Sequence, residues 1–291
     1  MLKTPTGEYR LVWRLILIVL LFVAMQVLVR LIPISLLTVF MVKSGATHSS
    51  AAENARSIVF DNPFWSTVIG MLVGLLGFLI VRFLVHRVER SEFTSKSIGL
   101  DWRRNSPYMI LWGVLLAFIL FIAYMLLARV FGSPNASVST LFRGVRFTGF
   151  LQKFILFMAM GFGEEVVFMA YVQTRLVSRI GVIWGVLSTA LVFTLLHQLS
   201  YQLSPITILS GVLLWTTFGA LYYLSKSLYL VGVFHGMMNT LLNTVRFAVG
   251  NIPILIVHAL ALLALIIFVR LNKRLIDDIS NPSEDTQPTI E

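Results

Sequence analysis

Two adjacent acidic residues, Glu164 and Glu165, lie inside one of the long apolar segments of this sequence. The other eleven of its 13 acidic residues lie in connections and tails, where water can solvate them. A charged side chain at the centre of a membrane costs about 2.5 to 3.5 kcal/mol on insertion scales. Because consecutive helix residues project about 100° apart, we expect one carboxylate to face a pocket and the other to bond a neighbouring helix. The pair predicts a functional site at membrane depth.

Two later apolar segments also contain polar side chains at helical spacing. Phe193 and His197 are four residues apart, as are His235 and Asn239, so the members of each pair share one face of a helix. A lone membrane histidine or asparagine is usually a hydrogen bond between helices. Because three separate segments each supply polar groups, we expect these groups to converge on one water-accessible pocket. His258, in a further segment, has no accompanying motif and is predicted to be structural.

Such a set of side chains supports hydrolysis by either of two routes. A carboxylate and a neutral imidazole can polarise a water molecule, with the carboxylate taking its proton, while a second imidazole and an amide donate hydrogen bonds to a tetrahedral oxyanion. Alternatively, Glu164, His197 and His235 are the ligands of a catalytic zinc whose fourth position is left for water. The sequence contains no His-Glu-x-x-His motif. The predicted cofactor is therefore none or zinc.

The composition excludes an ordinary soluble domain. Hydrophobic residues make up 57% of the 291 residues, charged residues make up 12%, and the mean hydropathy is +0.87. The absence of cysteine excludes disulfides, thiolate metal ligands and a cysteine nucleophile. The net charge of +10 is explained by basic residues that gather at the cytoplasmic edges of membrane spans. We therefore predict the lipid bilayer as a partner and no nucleic-acid partner.

Apolar segments long enough to cross about 30 Å of hydrocarbon as a helix occur eight times. Their approximate limits are 11–31, 64–85, 107–131, 148–174, 181–199, 204–224, 228–248 and 251–271. The sequence thus predicts an all-α integral membrane protein, a bundle of about eight transmembrane helices. Two small-residue pairs, Gly70 with Gly74 and Gly181 with Gly185, predict close packing between helices.

The distribution of basic residues predicts which ends of the spans face the cytoplasm. With the N-terminus inside, 15 of the 23 Lys and Arg residues lie on the inner side. The six on the outer side are Lys43, Arg56, Arg129, Arg143, Arg146 and Arg246. Arg30 and Lys153 lie near the outer ends of predicted spans, where they can snorkel. This bias predicts a multi-pass protein of the cell (inner) membrane with both termini in the cytoplasm.

The polar residues, in this order along the chain, resemble the three motifs of the CPBP family, which comprises CAAX proteases and bacteriocin-processing enzymes and is also called the Abi family. The family pattern is Glu-Glu-x-x-x-Arg, then Phe-x-x-x-His, then His-x-x-x-Asn. The matching residues are Glu164-Glu165, Phe193 to His197, and His235 to Asn239. Three motifs in order on membrane spans form a fairly specific signal, which covers roughly residues 150–245.

The resemblance implies an intramembrane endopeptidase that trims prenylated CAAX proteins or takes part in bacteriocin maturation or immunity. Its partner would be a peptide or protein substrate, including membrane-associated ones. The resemblance also implies that Glu164 activates water with the help of His197, that His235 and Asn239 form the oxyanion hole, and that Glu165 belongs to the same catalytic set. The family is described both as metalloproteases and as metal-independent glutamate proteases. Cleavage is expected near the cytoplasmic side of the bilayer.

With this resemblance, the chain divides into three predicted parts. Residues 1–145 form three N-terminal transmembrane helices with connecting loops, and residues 146–250 form the CPBP-like catalytic core. Residues 251–291 form the last transmembrane helix and a disordered cytoplasmic tail, in which acidic, Pro and Ser residues follow Asp277.

One position departs from the family pattern. Met169 stands where the first motif has its arginine, which leaves Glu165 without the cation expected to pair with it. Arg175 lies too far along the helix to replace that cation. The alternative prediction is therefore a non-catalytic membrane scaffold or immunity protein of the same fold. A proton-coupled transporter would also use buried acids and histidines, but the sequence shows no inverted repeat in support of one.

Overall fold

The computed structural model of the protein describes residues 11–103, 105–131, 145–197, 204–245 and 250–271. The α-helices in these ranges are α1 (Leu11–Lys43), α2 (His48–Asp61), α3 (Pro63–Phe83), α4 (Ser106–Val130), α5 (Phe147–Glu165), α6 (Thr174–Ile180), α7 (Val182–Leu196), α8 (Pro205–Ser225), α9 (Leu228–Thr244) and α10 (Asn251–Leu271). Two π-helical segments, Leu84–Val88 and Val166–Gln173, continue α3 and join α5 to α6. These ranges contain no β-strand, so the predicted all-α fold is confirmed. The predicted disordered tail after Asp277 lies outside the described residues.

Within the described ranges, six helical stretches are long and apolar enough to cross a membrane. They are Leu11–Lys43, Pro63–Val88, Ser106–Val130, Phe147–Ile180, Pro205–Ser225 and Asn251–Leu271. Helices α7, with 15 residues, and α9, with 17 residues, coincide with the other two predicted segments but are shorter. The multi-pass membrane bundle is therefore confirmed, and the predicted number of eight spans is approximate.

Helix α1 is longer than the sequence predicted. It continues to Lys43 instead of ending near residue 31, because the segment that follows is also largely apolar and Pro33 is accommodated inside the helix. The prediction that Arg30 lies near the end of a span was consequently wrong, since 13 further helical residues follow it. The largely polar helix α2, which was not predicted, comes next and packs against α1 and α3.

Helix α5, which carries both glutamates, packs directly against α3 and α9. Gly163 of α5 lies so close to Gly74 of α3 that a Cβ atom on Gly163 would stand 2.4 Å from the Gly74 Cα. On the other side, a Cβ atom on Gly161 would stand 3.0 Å from the backbone nitrogen of Gly236 in α9. Glycine therefore lets three backbones approach closely around the glutamates. The predicted close packing at Gly74 is confirmed.

The second predicted glycine pair behaves differently. Gly181 has φ +82°, and a Cβ atom there would meet no neighbour within 4 Å, so its predicted packing role was wrong. It separates α6 from α7, in a backbone conformation that favours glycine. A Cβ atom on Gly185 would stand 2.6 Å from the backbone nitrogen of Val177, so this glycine allows α7 to fold back against α6.

A buried ion cluster closes one end of the bundle, which we call the closed end. Arg175 of α6 donates two hydrogen bonds to Glu89, from Nε to Oε1 at 2.7 Å and from Nη2 to Oε2 at 2.5 Å. Nη1 of Arg14 in α1 lies 3.2 Å from Oε1 of Glu89, and the Tyr171 hydroxyl donates to the same oxygen at 2.9 Å. Burial raises the pKa of the Glu89 carboxyl, but these hydrogen bonds and charges outweigh burial, and the net pKa is lowered. The prediction that water solvates Glu89 was wrong, because its side chain is 8% exposed.

Candidate active site

A cavity of about 1250 Å³ lies within the bundle, and eight of the described helical regions contribute to its lining. Glu164, His197, His235 and Asn239 all line it. Glu165 is fully buried and contacts His235 instead. The structure thus brings together side chains from three of the predicted spans, with one glutamate facing the cavity and the other bonded to α9.

His235 lies between the two carboxylates. Its Nδ1 and Oε1 of Glu165 share a hydrogen bond of 2.9 Å, and its Nε2 lies 3.8 Å from Oε2 of Glu164. His235 is 1% exposed and Glu165 is 0% exposed, so the bond between them is sheltered from water. This bond fixes the ring orientation and turns Nε2 towards Glu164 and the cavity.

The separation between His235 and Glu164 has a chemical consequence. At 3.8 Å the two atoms are too far apart for a direct hydrogen bond, and a contact of this length suits a shared water molecule.

The second carboxylate oxygen of Glu165, Oε2, is buried and has no hydrogen-bond partner among the described residues. Because an unpaired buried charge is costly, His235 is the neighbour that would compensate a negative charge on this carboxylate.

His197 follows the last residue of α7. Its Nδ1–H donates to the Phe193 carbonyl oxygen at 2.8 Å, which makes Nε2 the acceptor nitrogen of the neutral ring. The Trp215 ring lies between the two imidazoles, with centroid separations of 5.4 Å to His197 and 4.9 Å to His235. Sequence reasoning missed Trp215, because one tryptophan in an apolar helix has no distinguishing spacing.

Asn239 lies one helical turn after His235 in α9 and is half-buried in the cavity wall. The i,i+4 spacing predicted that both side chains share one face, and both do line the cavity. An amide N–H and an imidazole nitrogen on one helix face can reach the same acceptor. The backbone carbonyl of Asn239 accepts a hydrogen bond from the Asn243 side chain at 2.9 Å.

Arg30 of α1 also lines the cavity, far from the motifs in sequence. Its Nη1 donates to the Gln26 carbonyl oxygen at 2.6 Å and to Gln26 Oε1 at 2.5 Å. Its positive charge attracts the carboxylate of Glu164. The available sequence signal was an arginine within an apolar segment. It was misjudged because α1 was expected to end one residue later.

Residues 146–241 match a family model described as Rce1-like, the type II CAAX prenyl endopeptidases. Residues 146–241 are therefore similar to the Rce1-like enzymes, in agreement with the CPBP resemblance of the three motifs. The match covers about a third of the 291 residues and includes all three motifs. No curated protein and no solved structure matches the chain. Because the matched family consists of proteases, the match supports a peptide hydrolase.

The segment that is similar to the Rce1-like enzymes lacks the arginine of the first motif. Met169, which replaces it, is fully buried in the π-helical segment after α5. Glu165 bonds to His235, and Arg175 is engaged by Glu89 at the closed end. Glu165 therefore has an imidazole as its partner where the family pattern supplies a guanidinium.

The zinc alternative requires three donor side chains around one point. Among the described residues, which include Glu164, His197 and His235, no group of three or more His, Asp or Glu side chains is placed to hold a metal ion. The site residues in this arrangement therefore do not fit a catalytic zinc.

A second buried histidine, His258 of α10, also contributes to the cavity wall. Its Nδ1–H donates to the Ser210 carbonyl oxygen at 2.8 Å, and its Nε2 accepts a hydrogen bond from the Tyr124 hydroxyl. No partner for His258 could be predicted from its sequence context. The structure shows that it joins α10 to α8 and α4, as a structural residue would.

Proposed function

We propose that this protein is an intramembrane endopeptidase that hydrolyses peptide bonds with a water molecule activated by Glu164. One observation carries the proposal: the imidazole of His235 stands between a carboxylate that faces the cavity and one that is buried. The distances are 3.8 Å to Glu164 and 2.9 Å to Glu165. This arrangement places Nε2 of His235 beside the carboxylate that activates the water, while Glu165 positions the ring.

In the proposed reaction, Glu164 takes a proton from water while the water oxygen attacks the carbonyl carbon of the scissile peptide. A C–O bond forms, and the carbonyl oxygen becomes an oxyanion. His235 and Asn239 donate hydrogen bonds to that oxyanion from Nε2 and from the amide. Glu164 then gives its proton to the peptide nitrogen as the C–N bond breaks, which releases an amine and a carboxylic acid.

Glu165 is proposed as a positioning residue for His235. The imidazole can donate from Nε2 while Nδ1–H is bound to Glu165 only if both ring nitrogens carry protons. A carboxylate 2.9 Å from Nδ1 compensates the positive charge of that doubly protonated ring. Glu165 thereby holds the ring in the orientation and the protonation state that the oxyanion needs.

The remaining cavity groups are proposed to hold the water and the substrate. With its Nδ1–H bound to the Phe193 carbonyl, a neutral His197 offers Nε2 as an acceptor for a hydrogen of the water molecule. Arg30 contributes a positive charge to the same wall and offsets the charge of Glu164. Trp215 keeps the two imidazoles apart and shelters them.

We further propose that the substrate is a peptide or a protein, including membrane-associated ones, and that the reaction is of the CAAX-processing or the bacteriocin-maturation and immunity type. Residues 146–250 would form the catalytic unit, supported by the N-terminal helices in residues 1–145. The protein would lie in the cell membrane with both termini in the cytoplasm, as the basic residues favour.

The direct test is the substitution Glu164→Gln, which removes the proton acceptor and preserves the shape of the side chain. The purified variant is incubated with a mixed peptide pool, and new peptide termini are counted by mass spectrometry. We expect cleavage to fall at least about 100-fold, because general-base catalysis contributes roughly that much. Glu53→Gln, at an exposed position of α2, is the matched control and should cleave like wild type. Unchanged cleavage by Glu164→Gln would contradict the assigned role.

Met169 motivates the alternative function, a non-catalytic scaffold or immunity protein of the same fold. Such a protein would bind a partner without cutting it. If cells that carry Glu164→Gln and His235→Ala variants keep the wild-type phenotype while the proteins are present in normal amounts, this alternative is favoured over hydrolysis.

A further inference from the structure

The described wall of the cavity carries more positive than negative charge. Two arginines line it, Arg30 in α1 and Arg56 in α2, against one acidic side chain, Glu164. Both arginines belong to the N-terminal helices and lie outside residues 146–241, which match the family model. A cavity whose walls are mostly apolar and whose charge is of one sign attracts ions of the opposite sign. The cavity therefore favours an anionic group.

Arg30 is held in place by one edge of its guanidinium group. Its Nη1 donates to the carbonyl oxygen of Gln26 at 2.6 Å and to Oε1 of Gln26 at 2.5 Å. In the described part of the chain, its Nε and Nη2 donate no hydrogen bond and the side chain forms no ion pair. A charged side chain within a membrane bundle is costly without a partner. A partner for the free edge of Arg30 is therefore expected from a bound molecule.

Another arginine of the same bundle shows what this edge binds. Arg175 donates from Nε and Nη2 to the two carboxylate oxygens of Glu89, at 2.7 Å and 2.5 Å. Two parallel N–H bonds from one edge of a guanidinium group match the geometry of a carboxylate. In Arg30, which is half-buried in the cavity wall, the same two nitrogens are the ones without a partner among the described residues. A carboxylate is thus the anion that fits Arg30.

The guanidinium group of Arg30 lies at about the depth of the proposed reaction. Helix α1 begins at the closed end, and α5 runs towards that end. The two are connected through Phe22 and Phe168, whose ring centroids are 5.2 Å apart. Gln26 and Glu164 each lie four residues from this contact in the same direction, about 6 Å along a helix. Because Arg30 is bonded to Gln26, its charge lies near enough to attract the Glu164 carboxylate.

We propose that Arg30 forms a carboxylate-binding subsite, which selects peptides that carry a carboxylate within about three residues of the bond that is cut, a reach of about 10 Å along an extended chain. The carboxylate belongs to the C-terminus of the peptide or to an Asp or Glu side chain, since both present the same planar pair of oxygens. Gln26 holds Nη1, and Nε and Nη2 bind the two oxygens. The cleavage step rests on the proposed function, whereas binding of the carboxylate does not.

Three synthetic peptide pools of matched sequence test the subsite, all acetylated at the N-terminus. The first has Asp and Glu side chains and an amidated C-terminus. The second has Asn and Gln in their place and a free C-terminal carboxylate, and the third has neither carboxylate. Cleavage is measured by mass spectrometry with the purified full-length protein. We expect wild type to cut the first or the second pool at least about ten-fold faster than the third, as a charged hydrogen-bonded pair provides. The preferred pool identifies the source of the carboxylate.

Substitutions in the cavity wall then assign this preference to Arg30. In Arg30→Gln the ratio of cleavage rates between the preferred and the third pool should fall to within about two-fold of one, and in Arg30→Lys it should be intermediate, because lysine keeps the charge and lacks the planar edge. Arg56→Gln removes an exposed charge from the same wall and should keep the wild-type ratio, since exposed charges are screened. The ratio cancels effects on folding and on the chemical step, which all pools share.

Equal cleavage of the three pools by wild type, a preference that persists in Arg30→Gln, or an equal loss of preference in Arg56→Gln would overturn the proposal. Binding separates the subsite from the reaction. The pools are applied to immobilised Glu164→Gln protein, and retained peptides should be enriched about ten-fold for the carboxylate, but not in the Glu164→Gln, Arg30→Gln double variant. If this enrichment is found and wild type cleaves no pool, the subsite stands and the proposed hydrolysis fails. If wild type cleaves the pools without such enrichment, the hydrolysis stands and the subsite fails.

Discussion

His235 and His258 are both buried in the wall of one cavity, in consecutive helices, yet their hydrogen-bond partners differ in kind. His235 lies between two carboxylates, at 2.9 Å from Glu165 and 3.8 Å from Glu164. His258 lies between a hydroxyl group and a backbone carbonyl, which are supplied by Tyr124 and Ser210. The difference is therefore in the chemistry of the neighbours and not in burial.

Two neutral partners satisfy a neutral imidazole completely, with one nitrogen donating and the other accepting. Such a ring stabilises the packing of three helices and has no reason to exchange protons. A ring between two carboxylates can instead carry a positive charge and donate from its second nitrogen to a developing oxyanion. A buried histidine in a membrane bundle is therefore a catalytic candidate because of its carboxylate neighbours.

The largest effect is expected from parallel substitutions at the two histidines. His235→Asn retains a donor near the position of Nδ1 and removes Nε2, and we expect the rate of peptide cleavage to fall by about 100-fold or more, as for the loss of an oxyanion donor. His258→Asn makes the same chemical change at the histidine that is bonded to Tyr124 and Ser210. We expect it to lower the thermal stability of the protein and to leave cleavage close to wild type.

Cleavage of the peptide pool and thermal unfolding in detergent are measured for both variants. Equal losses of cleavage in the two variants, at equal amounts of folded protein, would contradict the proposed difference between His235 and His258.

An intermediate effect is expected for Glu165→Gln. The amide can still accept from Nδ1 of His235 but carries no charge to compensate a positive ring, so we expect cleavage to fall by about 10- to 100-fold, less than for Glu164→Gln. The residual activity should also have a different pH profile from wild type, because the ring loses its charged partner. A purely structural role for Glu165 would reduce the amount of folded protein and leave the pH profile of the remainder unchanged.

The smallest effect is expected for Tyr124→Phe, which removes the hydroxyl that donates to His258. A buried histidine nitrogen then lacks its partner, and we expect a loss of about 1 kcal/mol of stability, seen as a lower temperature of thermal unfolding. Cleavage should stay within about two-fold of wild type, as for most substitutions away from reacting groups. A ten-fold loss of cleavage would show that Tyr124 and His258 take part in the reaction.

Several features of the fold were predictable because membrane-crossing helices must be long and apolar. Each of the eight predicted segments overlaps a helix in the described residues, since length and composition alone identify such segments. The end of α1 was not predictable, because the apolar residues continue beyond the point where a span of average length would stop. Helix α2 was missed because its mixed composition, with Glu53 and Arg56 on its surface, resembles a solvated connection.

The membrane-bundle fold, and the sharing of a helix face by certain polar side chains, could be predicted from the sequence. Those properties follow from composition and from the 3.6-residue period, which are local to each segment. The pairing of each His235 ring nitrogen with its glutamate, and the place of Arg30 in the same cavity wall, are seen only in the folded molecule. Such relations depend on the depth and rotation of one helix against another. Backbone contacts such as Gly74 with Gly163 set these, and no single segment encodes them.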